Sequence, residues 1–228
     1  MTLVFIHGAA CTPAVFTHQR KAFPDAVAIA LPGHGVPGAA EDIASFADTV
    51  EAHIAAAGWR DVILCGSSMG GAIALEIAIR GKLPLAGLVT IGSGAKLRVA
   101  PAILEALRLG DATVLATLAD AMFATPSAET RAAMFAQFES VSPEQRLADF
   151  RACDAFDVRE RLGAIAVPAL MLVGERDVMT PPDRSLFLAD RIAGARVELL
   201  PGLGHLAMLE GPEATNLHLA GFVDSIGG

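Results

Sequence analysis

The sequence predicts an α/β fold of about six parallel strands flanked by helices, with one helical insertion, and three observations carry that reading. Short apolar, β-branched runs alternate with amphipathic helical patterns along most of the chain, which implies βα units, a parallel sheet covered on both faces and right-handed crossovers. The residues equipped for chemistry stand in the turns that end those runs, where ligands bind in open α/β sheets. One stretch, residues 96–161, breaks the rhythm: it offers helical spacing and no convincing strand.

Taken in order, Thr2 to Ile6 is a buried strand ended by His7-Gly8. Pro13 to Phe23 can form a helix, and Ala26 to Leu31 is a second strand closed by Pro32-Gly33-His34-Gly35. Ile43, Phe46, Ala47, Val50 and Ile54 repeat at helical spacing up to Gly58, a C-cap. A third strand, Val62 to Cys65, runs into Gly66-Ser67-Ser68-Met69-Gly70, and a helix follows to about Arg80. Leu88 to Ile91, Val167 to Val173 and Val197 to Leu200 read as the remaining strands, and Pro212 to Val223 as the closing helix. The insertion is divided at Gly110, Pro126 and Pro143 into about four short helices. The division is therefore a core of residues 1–95 and 162–228 with a helical cap at 96–161.

Composition excludes several classes. The chain has 228 residues, 53% of them hydrophobic, so it buries a substantial core and disorder is disfavoured. A net charge of −8 gives no basic surface for nucleic acid, which is not expected as a partner. No apolar run reaches the about eighteen residues of a membrane span, and the start MTLVFIHG lacks a signal-peptide pattern, so a cytoplasmic location without a membrane partner is expected. Cys11, Cys65 and Cys153 are odd in number and lack metal-ligand spacing, so they read as free thiols; no metal or organic cofactor is implied.

The chemistry centres on GSSMG between a strand and a helix. Read as GxSxG, it puts Ser68 on a sharp strand-to-helix turn, its hydroxyl exposed at a helix N-terminus where negative charge is favoured. Serine needs a base within hydrogen-bond reach, and the base needs a group to fix its tautomer. Later strand ends supply both: Asp177 in Gly174-Glu175-Arg176-Asp177 and His205 in Pro201-Gly202-Leu203-Gly204-His205. The order Ser68, Asp177, His205 is that of a triad on a strand–turn–helix elbow. The loop His7-Gly8-Ala9-Ala10 can present a backbone N–H opposite that of Met69 to an oxyanion.

Five segments, VFIHGAA, LPGHG, GSSMGG, GERDVMTPP and PGLGHLAMLEGPE, together resemble the α/β-hydrolase superfamily along nearly the whole chain, within it the small capped esterase, lactonase and cofactor-free haloperoxidase group. The resemblance implies Ser68 as nucleophile, His205 as base, Asp177 as its orienter, and Ala9 and Met69 as oxyanion donors. Two departures stand out. Ala30 and Pro37 replace the aspartate and serine that usually flank LPGHG, and the strands that usually precede the HG strand are missing. The Ala26 to Leu31 strand is then an unpaired edge, to be covered by a second copy in a homodimer or kept short.

Competing readings are few. Ser67 is one residue early for the elbow. Glu175, Asp154 and Asp157 compete with Asp177. His7 and His34 brace loops, while His18, His53 and His218 fall in helical patterns as surface residues. Cys11 lies near the oxyanion loop as an inert thiol. Candidate pocket residues are Ala10, Met122, Phe123 and Leu206, although Met122, Phe123, Met134, Phe135 and Phe138 at helical spacing equally suit a plain core. The expected activity is hydrolysis of a small-molecule ester, mostly apolar, through an acyl-enzyme, since no basic cluster suited to an anionic acyl carrier is evident. Lactone hydrolysis, carbon–carbon hydrolysis, perhydrolysis and a non-turnover receptor stay open. Serine at position 68 disfavours dehalogenase and epoxide hydrolase chemistry, which the resemblance associates with a carboxylate nucleophile.

Overall fold

A computed structural model describes residues 1–227. Its strands are β1 (Thr2–Ile6), β2 (Val27–Ile29), β3 (Val62–Ser67), β4 (Leu85–Ile91), β5 (Ala169–Gly174) and β6 (Arg196–Leu200). They form one six-stranded sheet in the order β2-β1-β3-β4-β5-β6, every neighbouring pair parallel. Every residue of β3 and of β5 is buried, as expected of parallel strands covered on both faces.

The helices of the core follow the strands. After β1 the chain makes a 3-10 turn at Pro13–Phe16 and then α1 (Thr17–Ala22). The single helix predicted over Pro13 to Phe23 is thus broken at Phe16, whose ring stacks on Phe5 with centroids 4.7 Å apart. Next come α2 (Ile43–Ala57), capped by Asp42 and by left-handed Gly58, and α3 (Met69–Arg80). Helix α3 buries ten consecutive residues, Met69 to Ala78. Its small side chains let it lie close behind the sheet. The carboxyl side is closed by α8 (Pro182–Arg191), α9 (Ala207–Glu210) and α10 (Pro212–Gly227). Helix α8 was not anticipated. Its start, Pro181-Pro182, reads as a turn, but proline at the first helical position is preorganised for a helix.

Between β4 and β5 lie four helices: α4 (Pro101–Leu109), α5 (Thr113–Ala121), α6 (Ala128–Glu139) and α7 (Pro143–Ala155). Buried Leu107, Leu118, Met134, Phe138 and Phe150 join them to the main hydrophobic core.

Strand lengths differ from expectation where other bonds compete with the ladder. Strand β2 has three residues rather than six, and the Leu31 N–H leaves the sheet to donate to His7 Nε2 at 3.2 Å. Strand β3 runs on through Gly66, which pairs with both neighbours, and Ser67, which pairs with Ile91 of β4. Among the described residues no helix is long and apolar enough to cross a membrane.

Candidate active site

The elbow is built by close backbone approach. A Cβ on Gly66 would come within 2.1 Å of the Gly70 carbonyl oxygen, and one on Gly70 within 2.0 Å of that of Ile6, so only glycine fits on either side of the serine. The turn they allow forces Ser68 to φ 52°, ψ −115°, a backbone state that costs about 1–3 kcal/mol and persists only where its surroundings over-determine it. Those surroundings are in place: the Ser68 N–H donates to the Ile91 carbonyl at 2.9 Å, and Ser93 Oγ donates to the Ser68 carbonyl at 2.8 Å.

Asp177 and His205 meet at the carboxyl ends of β5 and β6. His205 Nδ1 donates to Asp177 Oδ2 at 2.8 Å, which leaves Nε2 as the free ring nitrogen. The other carboxylate oxygen accepts the N–H groups of Met179 at 2.9 Å and Thr180 at 2.8 Å. Thr180 Oγ1 donates to Oδ2 at 2.8 Å and lies 3.1 Å from His205 Nδ1. Burial opposes a charge on Asp177, but the attraction and hydrogen bond of His205, with the Thr180 donors, outweigh it and hold the carboxyl below its usual range. Competing acids are engaged elsewhere: Glu175 accepts from the Gly202 N–H, Asp154 from the Val99 N–H, and Asp157 pairs with Lys96 and Arg159.

Ser68 and His205 line one cavity together with Gly8 and Ala9 of the loop after β1. Among the described residues neither the Ala9 nor the Met69 N–H makes a hydrogen bond. The Met69 side chain is fully buried, with its amide in the first turn of α3. Of the pocket candidates, Met122 and Leu206 line this cavity, whereas Ala10 and Phe123 do not. Ala10 is fully buried at φ 54°, its N–H donated to Asp149. Phe123 is buried with its backbone packed beneath Gly204.

A buried polar network lies behind the Ala9 loop. Asp149 on α7 accepts the Ala10 N–H at 2.8 Å and His34 Nε2 at 2.8 Å through one oxygen, and Gln145 Nε2 at 2.9 Å through the other. His34 Nδ1 donates to the Pro32 carbonyl at 2.8 Å, so both its ring nitrogens face acceptors, as an imidazolium requires. Burial disfavours that charge, but the hydrogen bond and attraction of Asp149 outweigh it and raise the His34 pKa above its ordinary value. Its neighbour His7 is instead pushed down to about 3, chiefly by burial, and stays neutral, accepting from Leu31 at Nε2. Gln137 on α6 accepts both the N–H and the hydroxyl of Thr12. The loop is therefore gripped from two helices of the 96–161 segment.

Cys11 also lines the cavity, but burial and the Asp149 charge push its thiol up to about 12, so it carries no thiolate at neutral pH. Residues missed in sequence include Thr180, whose place three positions after Asp177 is the only signal it gave, and Asp149 and Ser93, which gave none. Lys96, Arg98 and Arg184 were missed as well: all three line the cavity, where no basic cluster had been expected.

An elbow serine held in a strained turn, sharing a cavity at the carboxyl edge of a parallel sheet with the histidine of a buried Asp–His pair and with Ala9, whose N–H is free, marks a hydrolase of the α/β class. The chain belongs to the alpha/beta hydrolase family, whose model matches residues 3–216. Among individual relatives, the pimeloyl-acyl-carrier-protein methyl ester esterase of Aromatoleum aromaticum is 27% identical over 238 residues, covering 92% of this chain and 93% of that protein. An esterase from Exiguobacterium antarcticum shares the fold with a TM-score of 0.91 at 22% identity, over 98% of this chain and 92% of that one. An N-acyl homoserine lactone degrading enzyme gives 0.87 at 26% identity, over 97% and 93% respectively.

Proposed function

We propose that the protein is a serine hydrolase of carboxylic esters whose acyl and alcohol parts are small and mostly apolar. His205 Nε2 takes the Ser68 hydroxyl proton as Oγ attacks the ester carbonyl. The Ala9 and Met69 amides hold the resulting oxyanion, and each such donor is typically worth about 2.7–4 kcal/mol of transition-state stabilisation. His205 then protonates the leaving alcohol, and afterwards activates the water that frees the acid from Ser68. Asp177 stays ionised and holds the Nδ1–H tautomer. The helices of 96–161 act as a cap, contributing Met122, Phe150 and Cys153 to the cavity wall.

The observation that carries this reading is the 2.8 Å His205–Asp177 pair opening onto the same cavity as the strained Ser68. A lactone is a second substrate form to test, because a neighbour 26% identical is a lactone-degrading enzyme. The experiment is labelling with a fluorophosphonate probe together with turnover of p-nitrophenyl esters of graded acyl length and one lactone. Wild type is expected to label and turn over, while Ser68→Ala does not label and loses about 10⁴–10⁶-fold in kcat. A folded wild type that neither labels nor turns over any of these esters means the reading is wrong.

A further inference from the structure

The chain has a net charge of −8, yet among the described residues its reaction cavity is lined by three cations, Lys96, Arg98 and Arg184, and by no carboxylate. Asp177 lies behind His205 with no exposed side chain, Asp157 is paired with Lys96 and Arg159, and Asp154 accepts the Val99 N–H. The three cations are not equivalent. Lys96 Nζ is paired with Asp157 at 2.8 Å, so its charge is already met. Arg98 and Arg184 make no ion pair or side-chain hydrogen bond among the described residues. Arg98 is exposed in the segment after β4, and Arg184 is half-buried in the first turn of α8, its Cβ 3.0 Å from where a Cβ on Gly94 would stand. Both arginines thus line the cavity beside the segment that follows β4, on a wall whose remaining part is largely apolar, including Leu97, Val99 and Phe150.

A guanidinium is always charged and presents a planar fork of donors that matches a carboxylate. Cations in a cleft with low-dielectric walls also focus their field there, while an acidic exterior turns anions away from the rest of the surface. On the reading of Ser68 as the nucleophile, we propose that the physiological substrate is an ester bearing a free carboxylate, separated from the scissile carbonyl by an apolar chain. Arg184 and Arg98 bind that carboxylate. Ester hydrolysis then joins two steps of known chemistry: an earlier reaction that esterifies one end of a dicarboxylic acid or of a carboxylated alcohol, and a later one that consumes the freed acid.

The test is a selectivity ratio, which does not depend on how much of a variant is folded. The kcat/KM of mono-p-nitrophenyl adipate is divided by that of p-nitrophenyl heptanoate, a neutral ester of similar length. Wild type is expected to favour the acid-ended ester by about tenfold or more, the size expected of a charge-assisted hydrogen bond. The preference should shrink as salt rises. It should fall to about one in the double variant R98Q/R184Q and be partly kept in Arg184→Lys. A wild-type ratio at or below one, or a ratio unchanged by the double variant, overturns the proposal. Binding is read separately on the Ser68→Ala protein by calorimetry with monomethyl adipate and methyl heptanoate. If no ester is turned over, the serine hydrolase reading fails while this arm still decides the inference. Tighter binding of the acid-ended ester that is lost in S68A/R98Q/R184Q upholds it, and equal binding of the two overturns it.

Discussion

Asp177 spends both carboxylate oxygens on fixing one imidazole: Oδ1 holds the turn through Met179 and Thr180, and Oδ2 receives the His205 proton. Replacing it by asparagine keeps the shape but offers an amide N–H where Nδ1 needs an acceptor, so the ring turns to the wrong tautomer. Asp177→Asn is expected to lower kcat on a p-nitrophenyl ester by about 10⁴-fold, with near-wild-type circular dichroism. The same carboxyl makes stability depend on acid. Its pKa is lower in the folded protein than in the unfolded chain, so the stabilisation is fully present above the unfolded value of about 3.9 and is lost as pH falls through the folded one. Urea midpoints of wild type and Asp177→Asn should therefore differ by a constant amount from about pH 5 to 8 and converge below about pH 4; a gap that persists in acid would mean that the carboxylate charge is not what stabilises the turn.

At the scale of elements, Asp149 ties α7 to the loop after β1, and Gly92 packs the end of β4 against the Asp177–His205 pair. Removing the Asp149 carboxylate takes away what holds the buried His34 ring protonated and leaves its Nε2 and the Ala10 N–H without their partner. Asp149→Ala is expected to cost about 3–5 kcal/mol in urea unfolding and to lower kcat, because Ala9 precedes the residue thus released. His34 has a folded pKa above its unfolded value of 6.5, so the pair's contribution is complete below about pH 6.5 and fades as pH rises through the raised value. His7, which packs on the His34 ring at 4.8 Å, stays neutral throughout and does not oppose it. The stability gap between wild type and Asp149→Ala should accordingly be wider at about pH 6 than at about pH 9. At Gly92, φ 55° is unfavourable for other residues, and an added Cβ would stand 3.0 Å from Asp177 Oδ2 and 3.1 Å from His205 Nδ1. Gly92→Ala is expected to shift the pair by a few tenths of an ångström and to lower kcat/KM by roughly tenfold, less than the about 10²-fold that a full 1 Å misplacement costs, while Ser68 still labels with the fluorophosphonate.

For the molecule as a whole, the sheet and the strand-end placement of Ser68, Asp177 and His205 could be read from the chain because each is encoded locally, as an apolar run ended by glycine or proline. Asp149, Arg98 and Arg184 could not. Their significance depends on crossovers that bring α7, α8 and the segment after β4 to one end of the sheet, and no local pattern records such a meeting. The edge strand β2 shows the same limit: six apolar residues suggested a long exposed edge, yet only Val27, Ala28 and Ile29 pair with β1, because Leu31 is drawn away by His7. Three residues between Pro24 and Pro32 give little ladder to extend, and a stable dimer needs about 1,200–2,000 Å² of buried surface. A net charge of −8 further separates copies of the chain. Of the two ways to manage this edge, a partner subunit or a short strand, the second suffices. Light scattering at micromolar concentration is therefore expected to give the mass of one chain, 23.5 kDa, at low and high salt alike. A mass twice that, abolished by placing lysine at Ala28, would instead assign the edge to a homodimer.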